Sequence, residues 1–340
     1  MNTLLFRTPM HHRTARTLAL TLCTVAAALT ALTAASQATA EEKASAYPSR
    51  PIKIMIGFSP GGSTDAPMRV LAEKAGAILK QPIVIENKPG VGGTMPAQSL
   101  QSAAPDGYTL GIASAGVYRL PYTNDIKWDP ATDLTYVIGL TGYAFGIVVP
   151  ASSPIKTLQD YVAQARANPG KLTYSTPGIA TTNHLTMEQL SRLYKIELNH
   201  IPYKGSAESL QAIVGGQVDS AAETSAFVPY VDSGKLRLIA VWGDKRMARY
   251  PNVPTLKESG ANIVQTSPWG LVGPKGLDPA IAAKLHDAFK QAMQTKEFKE
   301  MLARYEMEPD YKSAKDYRAF AVDAMKREKE ILDALGLSRK

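Results

Sequence analysis

From Ile52 the apolar positions run almost unbroken through Ile54, Met55, Ile56 and Phe58. They stop at Ser59-Pro60-Gly61-Gly62-Ser63-Thr64-Asp65 and resume with helical spacing at Met68, Val70, Leu71, Ala75 and Ile78. The pattern predicts a strand, a tight glycine loop and a helix. Ile83-Val84-Ile85 reads as a second strand ending at Glu86-Asn87, followed by Lys88-Pro89-Gly90-Val91-Gly92-Gly93 and a helix from Pro96 to Ala103. Pro105-Asp106-Gly107 then turns the chain into a strand from Tyr108 to Ala113. This β-α-β-α-β unit implies an α/β fold with a mainly parallel sheet, whose ligand groups collect in loops at the carboxyl ends of the strands.

Between Ser114 and Pro150 aromatics and turn residues predominate, until an apolar strand, Gly146 to Val149, crosses to a second α/β set. That set is a helix from Thr157 to Asn168, a strand Leu172 to Ser175, a helix from about Thr182 to Tyr194 and a short strand Leu198 to Ile201. It continues with a helix Ala207 to Val214 and strands Val218 to Ala222 and Leu236 to Val241. Its strands end in loops of small polar residues: Ser175-Thr176-Pro177-Gly178, Pro202-Tyr203-Lys204-Gly205-Ser206 and Glu223-Thr224-Ser225. Trp269 to Pro274 reads as another crossing strand, and three polar amphipathic helices follow, about Pro279 to Gln294, Lys296 to Tyr305 and Ala314 to Leu335. The charge run Lys326-Arg327-Glu328-Lys329-Glu330 in the last of them reads as a solvated face. The mature chain shows no internal repeat and no low-complexity segment.

The start of the chain follows a different pattern. Arg7, Arg13 and Arg16 precede an apolar, small-residue run from Leu18 to Ala35, and Ala38-Thr39-Ala40 supplies an Ala-x-Ala signal before Glu41. Residues 1–40 are therefore expected to be a secretory signal peptide cleaved near Ala40. The single cysteine, Cys23, falls inside the leader, so disulfides, thiolate catalysis and cysteine metal sites are unavailable to the mature chain. About 300 mature residues favour two domains. Without the three leader arginines the balance is 35 basic against 30 acidic residues, a net charge of +5. That mild excess suits small anions, but no basic block dense enough for nucleic acid is present, and no second apolar run is long enough to span a membrane.

The glycine loop at 59–65 has two readings. Adjacent glycines let the backbone approach a ligand, and Ser63 or Thr64 can serve as N-cap, leaving amide groups at the helix start for a carboxylate or phosphate. Alternatively it is an ordinary βα turn. It carries neither Gly-x-x-x-x-Gly-Lys-Ser/Thr nor Gly-x-Gly-x-x-Gly, so neither ATP nor NAD is indicated.

Several stretches together carry a resemblance. Tyr47-Pro48-Ser49-Arg50-Pro51-Ile52-Lys53, the loop Phe58 to Asp65, Glu86-Asn87-Lys88-Pro89-Gly90-Val91-Gly92-Gly93 and Ala104-Pro105-Asp106-Gly107-Tyr108-Thr109-Leu110 resemble the tripartite tricarboxylate transporter solute-binding proteins, the Bug receptors. So do Pro202-Tyr203-Lys204-Gly205-Ser206-Ala207, Gly215-Gly216-Gln217-Val218-Asp219 and Tyr250-Pro251-Asn252-Val253-Pro254-Thr255. The motifs span essentially the whole mature chain in order.

The resemblance implies a two-lobed, type II-like periplasmic binding protein that binds its ligand between lobes and delivers it to the membrane subunits of an ion-driven transporter. Lobe 1 is expected at 47–145 and 252–340, lobe 2 at 146–251. It also implies that a ligand carboxylate is held by Ser59, Gly62, Ser63 and Thr64 from lobe 1 and by Ser175, Thr176, Gly178 and Thr181 from lobe 2, with Ser114 at the same cleft edge; beside Lys204, the backbone of Tyr203 and Gly205 is a further candidate contact.

The chain departs from the family pattern after Asp219, where Ser220-Ala221-Ala222-Glu223 replaces bulky apolar residues and Asp. Small side chains facing the cleft would leave room for a bulkier, longer or aromatic dicarboxylate; small residues packed under a helix are the other reading. Glu223 is a further candidate ligand-binding residue, one that would repel a second ligand carboxylate unless a water or a donor intervenes.

Outside the leader the histidines are His184, His200 and His286. His184 and Glu188 have the i, i+4 spacing of a metal pair without an evident third ligand, so no metal is assigned. Lys204 is either an anion partner or an exposed loop lysine. Tyr118, Tyr122, Tyr143, Phe145, Phe227 and Trp269 either stack on a ligand ring or pack the core and hinge. No Gly-x-Ser-x-Gly elbow and no Ser/His/Asp set is evident, so no catalytic residue and no cofactor is assigned. The expectation is a monomeric receptor for a small organic carboxylate, with a periplasmic sensor, or more remotely a secreted hydrolase, as the alternatives.

Overall fold

A computed structural model describes residues 45–339; the leader, Cys23 and the cleavage expected near Ala40 lie outside the described residues. The chain builds strand β1 (Ile52–Ile56), helix α1 (Asp65–Leu79), β2 (Ile83–Asn87), a 3-10 turn at Val91–Gly93, α2 (Met95–Leu100), β3 (Thr109–Ala113), α3 (Ala115–Thr123) and β4 (Leu134–Tyr143). It then crosses into a second lobe with β5 (Phe145–Pro150), α4 (Leu158–Ala167), β6 (Thr173–Thr176), α5 (Thr182–Tyr194), β7 (Asn199–Pro202), α6 (Ser206–Val214), β8 (Ser220–Thr224), α7 (Val228–Asp232) and β9 (Leu236–Val241). It returns to finish lobe 1 with β10 (Ser267–Pro274), α8 (Pro279–Ala292), α9 (Lys296–Arg304), β11 (Pro309–Lys312) and α10 (Ala314–Ala334).

Each lobe is a sheet covered by helices on both faces. Lobe 1 has the strand order β11-β4-β10-β3-β1-β2 and lobe 2 the order β7-β6-β8-β5-β9. Both sheets are mixed rather than mainly parallel. β1 pairs parallel with β2 and β3, and β6 pairs parallel with β7 and β8, because a helix carries the chain back between these strands. β4, β5 and β10, which begin or end at the crossings between lobes, pair antiparallel, as do β9 and β11.

In lobe 1, α1, α8 and α9 cover one face through Met68, Leu71, Leu285, Phe289 and Phe298. Ala97, Val117, Tyr118, Tyr317 and Ala321, from α2, α3 and α10, cover the other. In lobe 2 the faces are closed by α4 with α5 and by α6 with Phe227 and Val228. An aromatic group stands at the crossings: Tyr143 lies 6.0 Å from Phe145 and 5.9 Å from Trp269, and Phe145 stacks on Trp242 at 5.4 Å. Phe145, Trp269, Tyr118 and Phe227 are thus core residues, while Tyr122 packs beside Leu185, Leu332 and Leu335.

The segment expected to be turns contains α3 and β4, the ten-residue strand between β10 and β11. Pro121 lies inside α3, and Gly139 and Gly142 interrupt the apolar run of β4, which masked both elements. The strand glycine is required by crowding. Gly139 sits opposite Gly270 in the ladder, and a Cβ at Gly270 would fall 2.2 Å from the Ile138 carbonyl oxygen.

Candidate functional site

Strand β1 ends in a loop that is locked before it reaches the cleft. Asn87 Nδ2 donates to the Phe58 carbonyl (3.0 Å) and to Asp65 Oδ1 (2.9 Å), while Gly61 N–H and Arg69 Nε both donate to Asp65 Oδ2 at 2.9 Å. Burial alone would raise the Asp65 carboxyl, but the hydrogen bonds from Arg69, Gly61 and Asn87 outweigh it and hold it below the ordinary carboxylate range. Neither Ser63 nor Thr64 caps α1 with its side chain. Ser63 Oγ instead donates to Thr224 Oγ1 of lobe 2 (2.8 Å), and the Thr64 hydroxyl meets the Tyr143 hydroxyl at 2.7 Å.

The lobes are closed on this loop. Ser59 N–H donates to the Lys204 carbonyl at 3.2 Å, and Ser59 Oγ donates to Glu208 Oε1 at 2.6 Å. The Pro202–Ser206 turn thus meets lobe 1 through the Lys204 carbonyl, while the Lys204 side chain is exposed and Tyr203 packs against the lobe 2 core. Across the cleft, a Cβ on Gly178 would fall 3.5 Å from Gly92 Cα, so these two loops also touch.

The second loop is built from the inside. Ser175 is fully buried and accepts from Ser209 Oγ at 2.8 Å. Thr176 Oγ1 donates to the Gly178 carbonyl and meets His200 Nε2 at 2.7 Å. Gly178 takes φ +153, and Thr181 Oγ1 both donates to its carbonyl (2.8 Å) and accepts from His184 N–H (3.3 Å), capping α5. His200 stacks between Tyr174 (4.8 Å) and His184 (4.3 Å). Burial, with the neighbouring His184, pushes His200 down to about 3, and burial lowers His184 too, so both rings are neutral props of the loop. No group of three His, Cys, Asp or Glu side chains among the described residues has metal-binding proximity.

Among the described residues, two small cavities lie between the closed lobes beside these loops. The first, about 20 Å³, is bounded by Ser59, Gly62, Ser63 and Thr64 from lobe 1 and by Pro177, Ser206 and Thr224 from lobe 2. The second, about 30 Å³, is bounded by Ser114, Gly116 and Arg119 from lobe 1 and by Thr181, Thr182 and Asn183 from lobe 2. Tyr143 and Thr224 belong to both walls. Each has room for one or two waters.

The starts of α1 and α6 form the first cavity and the starts of α3 and α5 the second, so four helix N-termini, two from each lobe, meet there. Such ends carry unpaired N–H groups and partial positive charge. The geometry suits anions.

Of the residues expected in the site, Ser59, Gly62, Ser63, Thr64, Ser114 and Thr181 stand in the cavity walls; Ser175, Thr176, Gly178, Tyr203 and Glu223 do not. Ser175, Thr176 and Gly178 shape the loop from behind. Glu223 is fully buried on the α6 side of the lobe 2 sheet, beside Ser206 and Ser209. Burial pushes its carboxyl up to about 8 against the opposing pull of those two serines and the Thr224 N–H, and Oε1 lacks a hydrogen-bond partner.

Ala221 and Ala222 are fully buried in the cores on the two faces of β8, not in the cleft. Of the two readings, packing under helices is the one found: each is covered by a helix layer and leaves no room in the cleft for a bulkier ligand. Glu328, expected on a solvated face, is 12% exposed and paired with Arg119.

Sequence reasoning missed Arg119, Asn183, Ser206 and Thr224. Ser206 and Thr224 carried a signal, since both follow strand ends in loops already marked as small and polar. Arg119 carried none while α3 was unrecognised.

The chain is similar to known proteins over most of its length. A protein in the gbd 5′ region of Cupriavidus necator is 57% identical over 315 residues, covering 93% of this chain and 96% of its own. The solved periplasmic binding protein BugD superposes with a TM-score of 0.83 at 26% identity, over 86% of this chain and all of its own. A Rhodopseudomonas palustris protein solved with adipate, Rpa4515, superposes with a TM-score of 0.80 at 27% identity, over 85% and 98% of the two chains. The profile of the tripartite tricarboxylate transporter family receptor, TctC, matches residues 68–337. Two closed lobes with helix starts facing one another thus occur in a chain that belongs to the tripartite tricarboxylate transporter family receptors.

Proposed function

We propose that the protein is a periplasmic receptor that captures an organic dicarboxylate between its lobes, releases it unchanged, and hands it to the membrane subunits of a tripartite transporter. The observation that carries this reading is the convergence of four helix N-termini, two from each lobe, on two adjoining cavities. An anion in either cavity gains donors from both lobes only when the cleft is shut, so a ligand shifts the protein toward closure. Two such cavities side by side favour a molecule with a carboxylate at each end. The adipate complex of the Rhodopseudomonas palustris relative supports that class.

At about 20 and 30 Å³ the cavities are smaller than a dicarboxylate. The ligand therefore enters with the lobes parted, and the lobes settle around it short of the contact described above. Asp65, the carboxylate in the first wall, is occupied by Gly61, Arg69 and Asn87 and is a poor general base for Ser63, which favours binding over hydrolysis. No helix among the described residues is long and apolar enough to cross a membrane.

Calorimetric titration of the chain from Glu41 with succinate, glutarate and adipate, against butyrate and hexanoate, tests the proposal. Dicarboxylates should bind at least about tenfold more tightly than monocarboxylates of equal length, a difference of about 1.4 kcal/mol. Equal affinity for the two series would sink the two-carboxylate reading, and absence of binding by both would sink the carboxylate reading altogether.

A further inference from the structure

Among the described residues, Arg119 is the one cation in the wall of the second cavity. It lies on α3 of lobe 1 and is 3% exposed. A guanidinium taken so far from water needs partners for its N–H groups and its charge. Glu328 on α10 supplies a bidentate pair, with Nε donating to Oε2 at 2.6 Å and Nη2 to Oε1 at 3.0 Å. The remaining contacts cross the cleft: Nη1 donates to the Ala180 carbonyl at 3.0 Å and Nη2 to Thr182 Oγ1 at 2.9 Å.

These lobe 2 acceptors stand at the start of α5. A cation there opposes the positive end of the helix, and Glu328 offsets that repulsion. The contacts are made to a carbonyl and a hydroxyl and so do not use the amides of Thr182 and Asn183, while Thr181 caps that of His184. Ala180 takes φ +56, a conformation uncommon without glycine, so its carbonyl is presented from a constrained turn.

We infer that Arg119 is the interlobe latch of this receptor: Glu328 fixes its guanidinium in lobe 1, where it clasps the start of α5 in lobe 2 and sets the balance between open and closed cleft. On opening, the Arg119–Glu328 pair persists because α3 and α10 pack together in the lobe 1 core through Tyr118 and Phe320. The bonds to Ala180 and Thr182 break. Arg119 is thus a positioning residue for the ligand-binding helix start. The inference requires the two-lobed fold and is independent of which anion the cleft accepts.

The test measures interlobe distance without ligand. The chain from Glu41 contains no cysteine, so Glu73→Cys on exposed α1 and Lys171→Cys in lobe 2 accept one spin label each, and double electron–electron resonance reads the separation. Thr182→Val removes one cross-cleft acceptor with little change of shape, and Glu328→Gln removes the charge that fixes the guanidinium. Each should raise the ratio of open to closed protein about tenfold, the effect of losing one hydrogen bond to a charged group. Arg119→Lys, which keeps the charge but not the fork, should give a smaller rise. Distances unchanged in all three variants would overturn the inference, whether or not melting temperatures fall, because the other cross-cleft contacts, those of Ser59, Ser63 and the Leu332–Leu185 packing, would then be holding the lobes without Arg119.

Discussion

Glu223→Gln isolates the effect of one buried carboxyl on stability. In the folded chain the group titrates at about 8, against 4.5 when exposed. The native state therefore holds a proton that the unfolded state has released between these values, and stability falls as pH rises through that window. For a single group with these two constants, raising pH from 5.5 to 7.5 removes on the order of 2–3 kcal/mol of stability. Glutamine keeps the shape and cannot ionise. The difference in unfolding free energy between variant and wild type should accordingly move by roughly 2–3 kcal/mol in the variant's favour over those two pH units.

His200, which protonates only near 3 when folded, destabilises the protein as pH falls from 6.5, but it is common to both proteins and cancels in the difference. Urea titrations of both proteins at half-unit pH intervals measure it. Parallel stability profiles would refute the argument, since they would mean that Glu223 is ionised in the fold or reaches solvent.

Two further outcomes follow from the cleft. Ser63→Ala removes a hydroxyl from the first cavity wall and should weaken adipate binding about tenfold, the value of one hydrogen bond to a carboxylate, as read by calorimetry; an unchanged affinity would place the carboxylate elsewhere. Gly205→Ala would set a Cβ 2.9 Å from the Ser59 backbone nitrogen across the cleft, in extended backbone that alanine adopts without strain. The bond from Ser59 N–H to the Lys204 carbonyl should yield, and hydrogen exchange at Ser59 should quicken about tenfold; slower or unchanged exchange would contradict the closed contact.

How much of this was legible varied with the element. The β1–loop–α1 unit and the helices α4, α5, α6, α8, α9 and α10 announce themselves because apolar spacing is a local property, and the lobe 2 loop residues were marked by their small polar composition. Strand β4 and helix α3 stayed hidden. Their glycines and proline read as turns, whereas at Gly270 and Gly139 the strands sit too close for side chains, a condition set by Ile138, Lys312 and Tyr317 from distant parts of the chain. The role given to Ala221 and Ala222 failed for a related reason: alternation along β8 fixes that they point to opposite faces, but not that helices cover both.

By itself, then, the sequence determined the alternation of strands and helices and the places where glycine, serine and threonine end a strand and begin a helix. It also carried the family motifs, since all of these are written in neighbouring residues. Only the tertiary structure decided which of those helix starts face one another, that Ser63 reaches Thr224 instead of capping its own helix, that Glu223 is sealed under α6, and that Arg119 crosses to Thr182. The two pairings across the cleft join residues 63 and 161 positions apart, and which distant groups meet depends on how two separate cores pack across a cleft.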